Sequence, residues 1–145
     1  YGSQSEVLKN QVEKDALLKS HVHFTGYLEP EELIPLLDEA DYFIQYPVRD
    51  GVAQTLLDAM YLRCICLSSA VGDNQSLIEE GVNGFFLPED PDQMAARLIA
   101  ILQMSPADLE QMKDHSRRYI KEKHSQSFRV RFFSGIYGLL SVLFA

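Results

Sequence analysis

Cysteine is scarce in this chain: the 145 residues contain two, Cys64 and Cys66, in the run RCICLSS. Two apart on a strand they point to the same face, and neighbouring thiols of one strand do not meet disulfide geometry. No disulfide framework is expected, and the spacing reads as two buried, reduced thiols of an intracellular protein. Metal-ligand spacing is missing as well. His21, His23, His115 and His124 have no Cys or acid at zinc-site intervals, so no metal is expected. Positive charge is short, with 13 Lys and Arg against 21 Asp and Glu and a net charge of −8. That excludes broad nucleic-acid contact, which needs clustered cations against phosphates. The basic residues gather late, at Arg117, Arg118, Lys121, Lys123, Arg129 and Arg131, and read as the exposed face of long helices. Contact with a membrane is at most peripheral. A signal-peptide pattern is lacking, since the chain opens polar with YGSQSEVLKN, and the apolar end GIYGLLSVLFA is too short to span a bilayer. The expected localisation is cytoplasmic, peripheral at the inner face of the membrane at most.

What remains is ordinary globular material, 46% apolar and 23% charged, without repeats or low-complexity segments. This length fits one domain with a core of its own. Strand and helix signals alternate. Residues 5–19 have helical apolar spacing, HVHFTG is a short β-rich run, and EPEELIPLLDEA has Pro30 in its first turn, with Pro35 keeping it short or irregular. DYFIQY and CICLSS are compact strands. NQSLIEEG is a short helix stopped by Gly81, and NGFFLPED a turn and strand ended by Pro88. Helices start at Pro91 and at Pro106 with Ser105 as cap, and residues 125–145 form a last amphipathic helix. Strands alternating with helices predict an α/β fold, a Rossmann-like parallel sheet with helices on both faces.

Ligands of such sheets bind beyond the carboxyl ends of the strands. The stretch RDGVAQTLLDAM leaves DYFIQY at that edge and enters a helix near Gln54. Asp50 and Asp58 stand at the two ends of this mostly apolar segment. The loop amides and helix start between them suit a phosphate, Gly51 permits close approach of the backbone, and carboxylates beside such a site suit paired sugar hydroxyls. The same residues also fit a turn and a helix-flank charge. Spacing leaves both readings open.

In order along the chain, HVHFTGYLEPEEL, LLDEADYFIQY, DGVAQTLLDAM and LSSAVGDNQSLIEEGVNGFFLPEDP resemble the C-terminal half of GT-B glycosyltransferases, specifically the retaining group called family 4. The resemblance covers residues 21–91. It implies the partial C-terminal domain of a GT-B fold, spanning residues 1–145 and lacking its first strands and the N-terminal acceptor domain of the same chain. It also implies a nucleotide diphosphate-sugar as donor, with no cofactor besides. Asp50 would contact the donor sugar and Asp58 the ribose. Gly51, Val52, Ala53 and Gln54 would lie by the diphosphate, and Gly26 and Tyr27 near the base. Catalytic residues are not assigned, because the acceptor side lies outside the resemblance, and the fragment alone is not expected to catalyse. The chain departs from the family pattern at several places. Both acids are Asp where the family has Glu, Ala53 replaces a glycine, Arg63 a glycine after the helix, and Ser76 an acid. These departures support an alternative, a non-catalytic GT-B-like module with a degraded donor site that serves assembly or stability.

Overall fold

The computed structural model describes residues 5–48 and 54–124. The chain divides into two compact units, Tyr1–Leu33 and Ile34–Ala145, each described by itself.

In the first unit, α1 (Ser5–Lys14) and α2 (Ala16–His21) replace the single helix expected over residues 5–19. Asp15 makes the break. Its backbone is extended, and its carboxylate accepts from the N–H groups of Leu17 at 2.9 Å and Leu18 at 3.1 Å, which starts a new helix. Apolar spacing continues across the break, so periodicity alone does not show it. HVHFTG, expected as a strand, is extended at Val22 but pairs with no described strand. The Val22 N–H is taken by the Leu18 carbonyl at 2.8 Å, closing α2 rather than joining a ladder. Gly26, with φ +74°, turns the chain after it.

The division between units falls within α3 (Pro30–Glu39), which Pro30 opens as expected. Glu32 reaches back to accept from the N–H of Glu29 at 3.0 Å, one half of a capping box. Pro35 lies inside the helix without ending it.

The second unit is built on β1 (Tyr42–Gln45), β2 (Ile65–Ser68) and β3 (Phe85–Phe86), all parallel and adjacent in that order. Tyr42 stands opposite Ile65, and Leu67 opposite Phe85. Parallel neighbours need crossovers. These carry α4 (Gln54–Tyr61) and α5 (Asn74–Leu77). Every residue of β2 is buried, which is why CICLSS lacks a polar alternation. Ile65 and Leu67 pack with Phe85, Leu87, Ile101 and Met112, the last two from α6 (Pro91–Leu102) and α7 (Pro106–Lys123). Cys66 and Ser68 point to the opposite face and are equally buried. The fold is thus a parallel α/β sheet covered on both sides.

Both cysteines are free and buried. Cys64 donates its thiol to the Leu37 carbonyl at 3.1 Å. Burial pushes the Cys64 thiol up from its ordinary range and the Cys66 thiol up much further.

α4 is buried on all sides from Leu56 to Met60 and packs on β1, β2 and α7. Past its end, Arg63 has φ +72°, the left-handed conformation in which glycine is usual and an L-residue costs roughly 1–2 kcal/mol. Its guanidinium pairs with Glu110 at 2.6 Å and with Asp114, both on α7, so the side chain ties the turn to the helix that α4 rests on.

α5 ends at Leu77 rather than running to Gly81. Asn83 accounts for the early stop. Its amide oxygen accepts from the Glu79 N–H at 2.8 Å and its amide nitrogen donates to the Leu77 carbonyl at 3.1 Å, replacing the bonds another helical turn would make. Gly84 then runs so close to β2 that a Cβ there would lie 2.7 Å from the Cys66 carbonyl oxygen. The starts of α6 and α7 are as expected: Asp90 accepts from the Gln93 N–H at 2.9 Å and Ser105 from the Asp108 N–H at 3.1 Å, each followed by proline. The expected helix over 125–145 lies outside the described residues.

Candidate functional site

Because β1 and β2 are parallel neighbours, the chain after Gln45 and the chain after Ser68 leave the sheet at the same edge, the carboxyl end where ligands of such sheets sit. A polar network organises this edge. The Ser68 hydroxyl, out of contact with solvent, accepts from the Asn74 amide at 2.9 Å and the Gln45 amide at 3.3 Å, and donates to the Ser69 carbonyl at 3.2 Å. One donor and two acceptor positions are all a hydroxyl has, so this one is saturated. Ser69 donates to the Pro47 carbonyl at 2.6 Å, holding the chain that leaves β1 against the chain that leaves β2. Asn74, the first residue of α5, is fully buried, and its Oδ1 has no hydrogen-bond partner. None of Gln45, Ser69 and Asn74 is a site residue by motif. Their one signal is the coincidence of short polar residues with strand ends.

Of the residues expected at the donor site, Gln54 is the first residue of α4 and is exposed. Asp58 follows one turn later, 7% exposed and enclosed among Leu56, Leu57, Ala59 and Met60. Asp58 is therefore not a water-exposed charge. Burying a carboxylate is costly unless polar partners receive it, and Asp58 is not without an interaction. Asp50, Gly51, Val52 and Ala53 lie outside the described residues. Ser76, standing where an acid is usual, turns its hydroxyl onto the Asp73 carbonyl at 2.7 Å, and its own carbonyl accepts from Tyr119 of α7 at 2.9 Å.

Within the first unit, Gly26 and Tyr27 line a cavity of about 610 Å³ together with Ser5, Lys9, His23 and Phe24, among others. Tyr27 is largely and Phe24 about half exposed, and the lining combines these aromatics with the polar side chains of Lys9 and His23. A planar ring system with hydrogen-bonding edges suits such a lining. Among the described residues no three His, Cys, Asp or Glu side chains converge as metal ligands, and no helix is long and apolar enough to cross a membrane.

Comparison with known proteins agrees with this architecture. The profile of the family described as glycosyl transferases group 1 matches residues 1–104. The chain is 27% identical over 137 residues to the amylovoran biosynthesis glycosyltransferase AmsK of Erwinia amylovora, covering 90% of this chain and 33% of that protein. It is 30% identical over 106 residues to spore coat protein SA of Bacillus subtilis, covering 71% of this chain and 28% of that one. It thus spans about a third of the length of the curated relatives it matches. Among solved structures, the C-terminal domain of the group 1 glycosyl transferase LpcC from Francisella tularensis superposes with a TM-score of 0.71 at 18% identity, over 82% of this chain and 61% of that one. Anabaena HepE, solved in complex with UDP-glucose, gives 0.73 at 17% identity, over 95% of this chain and 38% of that one. The parallel sheet is that of the Rossmann-like C-terminal domains of GT-B enzymes, and the chain belongs to the glycosyl transferases group 1 family.

Proposed function

We propose that this chain is the donor-binding part of a retaining glycosyltransferase, which takes a sugar from a nucleotide diphosphate-sugar and passes it to an acceptor held by an N-terminal domain of the same protein. The observation that carries the reading is where α4 lies: it follows β1 in the chain, with Gln54 as its first residue and Asp58 one turn inside. A helix start of this kind attracts a diphosphate through its free N–H groups and its dipole. In this reading Gly51, Val52, Ala53 and Gln54 receive the diphosphate, Asp50 accepts hydrogen bonds from the donor sugar, and Asp58 accepts them from the ribose. Gly26 and Tyr27 attend the base. The relatives support it in kind: AmsK is named as a glycosyltransferase of amylovoran biosynthesis, and HepE was solved with UDP-glucose.

The chemistry is displacement at the sugar carbon. The bond to the diphosphate breaks, the acceptor oxygen bonds on the same face, and its proton leaves with the departing diphosphate. The protein contributes positioning and stabilisation of the leaving charge. The donor is the only small-molecule partner required besides the acceptor, with no cofactor, and the reaction is placed in the cytoplasm. The test is calorimetric titration of the intact protein with UDP-, GDP- and ADP-sugars. Saturable binding of one base series is expected, and no binding of any of them would remove the proposal.

A second reading, a non-catalytic GT-B-like module, is favoured by one observation. Asp58 at 7% exposure presents little carboxylate to a ligand. If Asp58 is purely structural, Asp58→Asn lowers the unfolding midpoint and leaves donor affinity unchanged.

A further inference from the structure

The basic residues of α7 play no part in the donor reading. Asp114, Arg117, Arg118 and Lys121 stand at i, i+3, i+4 and i+7, one face of the helix, and Arg63 joins them from the turn after α4. These five residues line a cavity of about 490 Å³. Four cations face one carboxylate there, in a chain whose net charge is −8.

That carboxylate is already engaged, because Asp114 pairs with Arg63, as does Glu110. Asp114 precedes Arg118 by four residues, the favourable acid-before-base order on a helix, yet it is drawn to Arg63 instead. Among the described residues Lys9, Lys19, Arg63, Arg97 and Lys113 have carboxylate partners; Lys14, Arg117, Arg118, Lys121 and Lys123 have none, and of these Arg117, Arg118 and Lys121 share one cavity. Acids outnumber bases, so three adjacent cations without an acid are not explained by a shortage of them. Arg117 is also held in place: its guanidinium carbon lies 5.1 Å from the centre of the Tyr61 ring. Its Nε is out of contact with solvent and without an acceptor, so the outer nitrogens are left to meet a counter-charge. A stacked, planar fork flanked by further cations matches the oxygens of a phosphate group.

We propose that Arg63, Arg117, Arg118 and Lys121 form a binding site for a phosphate group, carried either by a soluble phosphorylated molecule or by an anionic lipid headgroup. The probes are pyrophosphate, read by calorimetry, and vesicles of phosphatidylglycerol compared with phosphatidylcholine, read by co-sedimentation. The variants are Arg117→Gln/Arg118→Gln/Lys121→Gln and a control, Lys14→Gln/Lys19→Gln, which removes positive charge elsewhere. Urea unfolding checks that each is folded. Wild type and control should bind pyrophosphate or anionic vesicles, at least tenfold more tightly than the triple variant, with the affinity falling as salt is raised. Pyrophosphate binding without vesicle binding would identify a soluble ligand, and vesicle binding alone a headgroup. Equal binding by the wild type and the triple variant, or no binding of any probe by the wild type, would overturn the proposal.

Discussion

Removing the Ser68 hydroxyl tests the polar network at the sheet edge, and its magnitude follows from which groups would lose partners. In Ser68→Ala the Asn74 amide loses the acceptor at 2.9 Å, and because Asn74 Oδ1 has no partner already, the whole buried side chain is left unsatisfied. Gln45 is only partly buried and can turn towards water. One stranded buried donor costs about 1–3 kcal/mol. With a urea slope of about 2 kcal/mol per molar, the midpoint should fall by roughly 1 M. Asn74→Leu on its own removes the orphaned oxygen along with the amide, while Ser68 keeps Gln45 and the Ser69 carbonyl as partners, so it should lie within about 1 kcal/mol of wild type. The double variant Ser68→Ala/Asn74→Leu has no stranded amide. It should be more stable than Ser68→Ala alone, with a coupling energy of at least about 1 kcal/mol. Equilibrium urea unfolding of the four proteins gives the cycle directly. Strictly additive losses would show that the bond between Ser68 and Asn74 contributes nothing.

Three further outcomes follow from local geometry. Gly84→Ala should cost about 1–3 kcal/mol through the clash with the Cys66 carbonyl, and Gly81→Ala, which meets open space but has φ +74°, only about 1–2 kcal/mol; a larger loss at Gly81 in thermal unfolding would contradict this. Arg63→Ala keeps the left-handed strain and loses both ion pairs, whereas Arg63→Gly relieves the strain, so the glycine variant should be the more stable by about 0.5–1 kcal/mol; equal midpoints would contradict it. The raised thiols of Cys64 and Cys66 stay protonated in the fold but ionise in the unfolded chain above about pH 8.5, so their contribution is complete below that pH and is lost as pH rises further. Urea midpoints should therefore fall between pH 8 and pH 10, and less steeply in Cys66→Ala; identical slopes would count against it.

Much of the second unit is legible in the sequence, because its elements carry strong local signals. DYFIQY and CICLSS are short apolar runs, Pro91 and Ser105 with Pro106 mark helix starts, and each lies where expected. What is not legible depends on single side chains acting across the chain. Asp15 divides a helix that apolar periodicity would continue. Asn83 halts α5 from six residues beyond its last turn. HVHFTG has strand composition and no described partner, and pairing is a property of neighbours rather than of a segment. At the candidate site, Gln54 could be placed at the helix start from the pattern alone. The burial of Asp58 could not, because a lone acid beside an apolar stripe gives no indication that α4 is covered all round. The joining of Gln45, Ser68 and Asn74 follows only from strand register and the return of α5 to the sheet edge.

Donor titration of acid-to-neutral variants reads out whether Asp50 and Asp58 hold the nucleotide-sugar. In calorimetry with the nucleotide-sugar series that wild type binds, Asp50→Ala and Asp58→Asn should each weaken binding at least tenfold, consistent with losing a charged hydrogen bond of roughly 1.5–3 kcal/mol, while both proteins remain folded by urea unfolding. Wild-type affinity in both variants would contradict the account and leave the two acids as parts of the fold alone.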